Sequence, residues 1–283
     1  MSARPADGGG FACVEQDPDP AALIAMLDLF EPPLRVPRAA LLDQLALAEA
    51  RTALDIGCGT GGGTAEMARR MPRDSTAAGV DASEAMIAEA RRRAAGQGVG
   101  LTFRVGDAQG LPYPDGSFGA CRAQAVLQHL ADPARAVREM ARVTRPGCRV
   151  GVLEYDLGTL LVDHPDRPVT TAVLGALCDS MAQPWIGRQV LRLFRMAGLA
   201  DVLAEPLAVL GSYEVFRALL GPAVTRLCDE RALTAGQADE WWSWLGRQHE
   251  AGAFLGGVTV FAVTGTRPGT RPLARSRNHP PHR

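Results

Sequence analysis

The sequence predicts an α/β fold in which a parallel sheet is covered by helices on both faces. Three observations carry the prediction. Between Arg51 and Asp156, short apolar runs alternate with helical patterns, an order that lays strands side by side with helical, right-handed crossovers between them. The first strand runs straight into a glycine-rich turn, Gly57-Cys58-Gly59-Thr60-Gly61-Gly62-Gly63, and then a helix. Carboxylates, Asp81 and Asp107, stand at the ends of the second and third strands.

The elements follow in order. Residues 1–18 read as a flexible lead. From Ala21 to Ala50 an alanine- and leucine-rich helical pattern is broken by Pro32, Pro33 and Pro37, which predicts two helices in an N-terminal segment, 19–50. Next come a strand at Ala53–Ile56, a helix at Thr64–Arg70 and a strand at Ala77–Val80. Ser83 can cap a helix reaching Arg93, with Glu84 at its positive end. Leu101–Val105 and Phe118–Ala123 are the third and fourth strands. Asp132-Pro133 opens a helix that buries Val137, Met140 and Ala141; Arg145-Pro146-Gly147 ends it before a fifth strand, Arg149–Leu153. Gly187–Ala197 then looks helical, Asp201–Val209 contains a strand, Tyr213–Glu250 is mainly helical and Gly257–Val263 is a last β run. The main domain is therefore expected over 51–266, with helical insertions at about 157–186 and 212–252. The segment 267–283 holds Arg267, Arg271, Arg275, Arg277 and Arg283, has no acids and is rich in proline. It reads as a disordered basic tail.

Composition narrows the function. A chain of 283 residues, 47% hydrophobic, buries one large domain with an elaboration, or two small ones. A net charge of -1 provides no basic face for nucleic acid. All thirty basic residues other than histidine are arginine, which excludes Schiff-base lysine chemistry. The six cysteines are scattered without a C-x-x-C pair, a pattern of reduced thiols rather than of a disulfide framework or zinc site. The polar Met1–Gly10 segment cannot serve as the apolar part of a signal peptide, and no apolar run approaches the roughly 18 residues of a membrane span. A cytoplasmic protein is expected. His164, between Asp163 and Pro165, has no second histidine at ligand spacing, so no metal is expected.

The glycine turn carries the chemistry. Glycines there allow positive φ and let a ligand approach the backbone. Gly57-x-Gly59-x-x-Gly62 also fits a dinucleotide fingerprint. Asp55, two residues before the first glycine, is awkward for a pyrophosphate; it suits a ligand bearing an ammonium and a sulfonium, held directly or through water. Asp81, in Gly79-Val80-Asp81-Ala82-Ser83, can accept from ribose hydroxyls. Asp107, in Gly106-Asp107-Ala108, can accept from an adenine amino group while the following N–H donates to the ring; a turn role for Asp107 is the alternative.

The order of these elements, with Leu127-Gln128-His129-Leu130 and Arg142-Val143-Thr144-Arg145-Pro146-Gly147 after them, resembles the class I S-adenosylmethionine-dependent methyltransferases. It is most similar to the branch that includes the ubiquinone and menaquinone methyltransferases and bacterial natural-product methyltransferases. The resemblance runs from about Arg51 to Asp156 and more faintly through Ile186-Gly187-Arg188 and Ala197-Gly198-Leu199 to the final strand. It implies a Rossmann-like three-layer sandwich with a seven-stranded, mostly parallel sheet whose last strand is antiparallel. S-adenosylmethionine would lie over the carboxyl ends of the first strands, with Asp55, Gly57, Gly59 and Gly61 around its methionine part. Asp81 with Ala82 would hold the ribose, Met86 would pack on adenine, Asp107 and Ala108 would read its edge, and Gln124 would lie near the methionine and the acceptor. Two positions depart from the family pattern: Gly119 stands where aspartate is usual, and Cys148 where glycine is usual.

On the acceptor side, His129 follows the fourth strand, and Glu154 and Asp156 end the fifth. A histidine–carboxylate pair acting as general base is geometrically open, with a raised histidine pKa; positioning alone is the competing account. Trp185, Tyr213, Trp241, Trp242 and Trp244 concentrate in the C-terminal half and either line an acceptor lid or fill core. The reading is methyl transfer to the oxygen, carbon or nitrogen of a small molecule, in secondary metabolism. A non-methylating reaction on the same fold and, more distantly, a nicotinamide-dependent oxidoreductase are the rivals.

Overall fold

The computed structural model describes residues 20–96 and 100–269; the lead and all but the first residues of the basic tail lie outside them. Two helices, α1 (Pro20–Phe30) and α2 (Arg35–Asp43), flank a 3₁₀ turn at Pro32–Leu34. There follow β1 (Thr52–Ile56), α3 (Gly62–Arg69), β2 (Thr76–Asp81), α4 (Glu84–Ala94), β3 (Gly100–Val105), β4 (Phe118–Gln124), α5 (Pro133–Val143) and β5 (Thr144–Val162). The remaining elements are α6 (Arg167–Ser180), α7 (Ile186–Met196), β6 (Ala200–Leu210), α8 (Tyr213–Asp229), α9 (Ala235–Glu250) and β7 (Gly256–Thr266). Caps fix the helix starts. Ser83 accepts from Met86 N–H, Asp132 from Arg135 N–H and Asp166 from Val169 N–H, each meeting a donor that the first turn leaves open.

The seven strands form one sheet in the order β3-β2-β1-β4-β5-β7-β6. β1 pairs in parallel with β2 and β4, β2 with β3, and β4 with β5, whereas β7 runs antiparallel to both β5 and β6. The strand order reverses about β1, the place where an open α/β sheet leaves a crevice at its carboxyl ends. β5 extends well past the Arg149–Leu153 run because β7 also pairs with its outer end, up to Val162↔Gly256.

On one face α2, the turn after it and α3 bury Leu42, Leu45 and Met67 against Ala53, Ala77 and Ala120. On the other, α5 and α7 bury Val137, Met140, Val190 and Phe194 against Leu54, Val80, Cys121 and Val152. A separate core lies in the cap formed by α6, α8 and α9, where Val173, Phe216, Leu220, Trp241 and Leu245 meet and Leu29 and Phe30 of α1 pack on. Trp241 belongs to that core, buried, with its indole N–H donated to Thr170 Oγ1 at 3.0 Å. Trp185 is instead exposed, with the Arg188 guanidinium over its ring. His164 accepts from Asp166 N–H and lies against the Trp241 and Trp244 rings. Among the described residues no helix is long and apolar enough to cross a membrane.

Candidate functional site

The turn after β1 is built on three left-handed glycines, Gly57, Gly59 and Gly61, with φ of 63°, 50° and 83°. A Cβ at any of them would be strained. Cys58 N–H donates to Val80 O at 3.1 Å, tying the turn to the end of β2. Asp81 completes the tie: its Oδ2 accepts from Gly59 N–H at 2.9 Å and its Oδ1 from Ser83 N–H at 3.0 Å. Burial raises the Asp81 pKa, while the Ser83 and Gly59 N–H groups pull it back. The next strand joins through Gly106 N–H, which donates to Asp81 O at 2.9 Å.

The other predicted cofactor residues spread along this edge. Ala82 is exposed and Met86 is buried in the first turn of α4. Asp107 is exposed, accepting from Gln109 N–H at 2.8 Å, and Ala108 beside it is buried. Gln124, at the end of β4, accepts on Oε1 from Arg38 Nε at 2.9 Å. Asp55 sits lower. Its carboxylate is 1% exposed and is engaged by Arg122 Nε at 2.9 Å and by the Thr64 hydroxyl at 2.8 Å, so its oxygens face β4 and α3.

Within the acceptor-side trio, Asp156 and Glu154 are held by different partners. Asp156 is buried and held by Arg188, whose Nη2 donates to Oδ1 at 2.7 Å and whose Nε donates to Oδ2. Glu154, also buried, accepts on one oxygen from Val126 N–H and Leu127 N–H at 2.8 and 2.7 Å. Burial pushes its carboxyl up to about 7. His129 closes the 3₁₀ turn Leu127–His129, with Nε2 3.2 Å from the Gln128 side-chain nitrogen. Burial pushes its imidazole down to about 4, the reverse of the rise expected from a neighbouring carboxylate. The desolvation of the imidazolium outweighs any charge nearby.

Two arginines escaped the sequence reading. Arg122 is buried in the middle of β4, directly across from Asp55 in the strand register; opposite charges inside two otherwise apolar strands were the available signal. Arg38, on α2, is buried at the same edge and binds Gln124, Glu66 and Glu31. Nothing in the local pattern of α2 marks it, because its partners lie on β4, on α3 and just after α1. Leu27 of α1 also reaches this edge: a Cβ built on Gly59 would lie 3.9 Å from Leu27 Cδ1.

Comparison with known proteins agrees with this geometry. Residues 54–152 match the model of a methyltransferase domain. An uncharacterised 37.1 kDa protein in transposon TN4556 of Streptomyces fradiae is 34% identical over 229 residues, covering 80% of this chain and 65% of the relative. Norajmaline N-methyltransferase of Rauvolfia serpentina is 32% identical over 130 residues, 46% of this chain and 44% of the relative. The chain thus spans less than two thirds of the length of either. The crystal structure of the YcgJ protein of Bacillus subtilis superposes with a TM-score of 0.58 at 20% identity, over 82% of this chain and 97% of that one, a likeness of fold.

Proposed function

The chain carries a class I methyltransferase domain, and from that premise we propose that it moves a methyl group from S-adenosylmethionine to a small-molecule acceptor. The observation that carries the proposal is Asp81, whose carboxylate locks the end of β2 to the glycine turn through Gly59 N–H and Ser83 N–H. One acidic group thereby sits between open backbone on one side and the Gly106–Ala108 turn on the other. The residues fit the cofactor: among the described residues a Cβ on Gly62 would meet nothing within 4 Å and one on Gly59 only Leu27, while Gly57 and Gly61 are closed over by Val126 and by Phe103 and Ala90, so bare backbone is presented at Gly59 and Gly62.

In this reading Gly57, Gly59 and Gly61 receive the methionine part, Asp81 and Ala82 the ribose, and Met86, Asp107 and Ala108 the adenine. Gln124, oriented by Arg38, borders the methionine and acceptor sides. Asp55 acts from below, through Arg122 and Thr64. When bound, the sulfonium supplies a methyl group that is already activated. The chain then has to align the acceptor, exclude water and, for some acceptors, remove a proton. With its imidazole held near 4 by burial, His129 is neutral at physiological pH and a weak proton acceptor, which supports positioning over base catalysis. The cap of α6, α8 and α9 walls the acceptor side. The likeness to norajmaline N-methyltransferase supports a secondary metabolite as acceptor.

Calorimetry on the metal-stripped full chain with S-adenosylmethionine tests the assignment. Binding in the micromolar range is expected; no heat and no thermal shift at millimolar ligand would overturn it.

A further inference from the structure

We infer that Glu154 is a positioning residue, fixing the short segment that separates the glycine turn from the acceptor side. The chain leaves β4 at Gln124 and turns sharply. Ala125 takes a left-handed backbone, φ 54°, unusual for a residue with a side chain, and donates its N–H to Leu153 O at 2.9 Å. Val126 and Leu127 then aim their N–H groups inward at the start of the 3₁₀ turn, where no intrahelical acceptor exists. Both reach Glu154 Oε1, at 2.8 and 2.7 Å. Glu154 is 0% exposed, so this single oxygen does what water would do at a surface turn.

The segment it holds touches both halves of the site. A Cβ on Gly57 would lie 2.2 Å from Val126 Cγ2, so Val126 packs directly on the first glycine of the turn. His129 ends the same 3₁₀ turn. Moving Val126 and Leu127 therefore disturbs the wall beside the glycine turn and the acceptor-side imidazole together. The second Glu154 oxygen, Oε2, is buried and has no hydrogen-bond partner among the described residues. The role requires an accepting oxygen at the end of a side chain of glutamate length, and it does not require a charge. Glutamine meets that requirement and aspartate does not.

The test uses Glu154→Ala, Glu154→Asp and Glu154→Gln in the full chain, read by amide hydrogen exchange over 125–129 and by calorimetry with S-adenosylmethionine. Glu154→Ala should speed exchange in 125–129 by about tenfold or more, with β4 and β5 unchanged, and weaken the cofactor by a similar factor. Glu154→Gln should stay within about threefold of the parent on both readouts. Should Glu154→Ala fail to fold, Glu154→Asp, which keeps the charge but withdraws the oxygen by one methylene, should show the same fast exchange. Parent-like exchange in both the shortened variants, or a glutamine variant as fast as alanine, would overturn the assignment. The affinity arm rests on the proposed cofactor. A parent protein that does not bind S-adenosylmethionine would sink that reading while leaving the exchange result to decide this one.

Discussion

Asp55 and Arg122 are register partners on β1 and β4, and their side chains form a buried ion pair beneath the glycine turn. Arg122 Nε lies 2.9 Å from Asp55 Oδ1, the side chains are 4% and 1% exposed, and the Thr64 hydroxyl donates to the other carboxylate oxygen at 2.8 Å. The pair joins the two strands at the reversal of strand order and supports the first turn of α3 through Thr64.

Breaking this pair should be worse than removing it. Asp55→Leu leaves a guanidinium buried without its counter-charge and should cost about 3–5 kcal/mol of stability. Asp55→Leu combined with Arg122→Met should recover most of that loss, since two apolar side chains of similar volume need no pairing. Urea denaturation of parent, single and double variants checks this. A double variant no more stable than Asp55→Leu would show that the pair is not the unit described.

Gly63 is kept small by the same arginine. A Cβ there would fall 1.9 Å from Arg122 Nη2 and 3.2 Å from Asp55 Oδ2. Gly→Ala inside a helix ordinarily stabilises by roughly 0.5–1 kcal/mol; Gly63→Ala should instead destabilise by about 1–3 kcal/mol through overpacking. In an Arg122→Met background the penalty should largely vanish, and a thermal-denaturation mutant cycle reads the coupling.

Asp81→Ala should weaken S-adenosylmethionine binding by roughly 1.5–3 kcal/mol, the scale of charge-assisted hydrogen bonds to two hydroxyls plus the loosened tie to Gly59. Asp107→Ala should cost less, because the exposed Asp107 carboxylate would meet one neutral amino group. Calorimetry on the two variants ranks them, and an Asp81→Ala affinity equal to the parent's would displace Asp81 from the ribose site.

The His129 imidazole should titrate near about 4. NMR of its ring carbons across the acid range measures this without knowledge of the acceptor. Once an acceptor is in hand, His129 should contribute no step to the rate profile between roughly pH 6 and 9, where an ordinary histidine charges. A midpoint above 7 would restore the general-base account.

Glu154 should make stability fall as pH rises from the acid range to neutrality. Its carboxyl is pushed up to about 7 from an ordinary value of 4.5, so the folded state holds the proton more tightly than the unfolded chain. The stabilisation is complete below the unfolded value and is lost as pH rises through the folded one. Relative to Glu154→Gln, the parent should lose ~3 kcal/mol across that window. Parallel denaturation series at several pH values check the difference, and equal slopes for the two proteins would remove the effect.

Much of the fold was legible in the chain because local chemistry sets it. Ser83 and Asp132 cap helices as placed, and Gly57, Gly59 and Gly61 after β1 take the left-handed conformations expected of glycines in that turn. The acceptor side was less legible. Asp156, read with His129 as a candidate for catalysis, is bound by Arg188, thirty-two residues away in the chain, and no sequence spacing announces a pairing of that kind. The shift of His129 to low rather than high pKa likewise depends on how many atoms surround the ring, a quantity that a sequence does not carry.

The sequence by itself determined the alternating architecture, the glycine turn and the acidic residues at the ends of β2 and β3, since each depends on backbone conformation or on strand periodicity within a few residues. Tertiary structure alone decided which charges face one another. It placed Arg122 under Asp55, brought Arg38 from α2 onto Gln124, and turned Glu154 from a candidate partner of His129 into the acceptor for two backbone N–H groups. The physical reason is the cost of desolvation. A charge or an N–H removed from water must find a partner, and which partner lies within reach is fixed by strand order and helix docking rather than by distance along the chain.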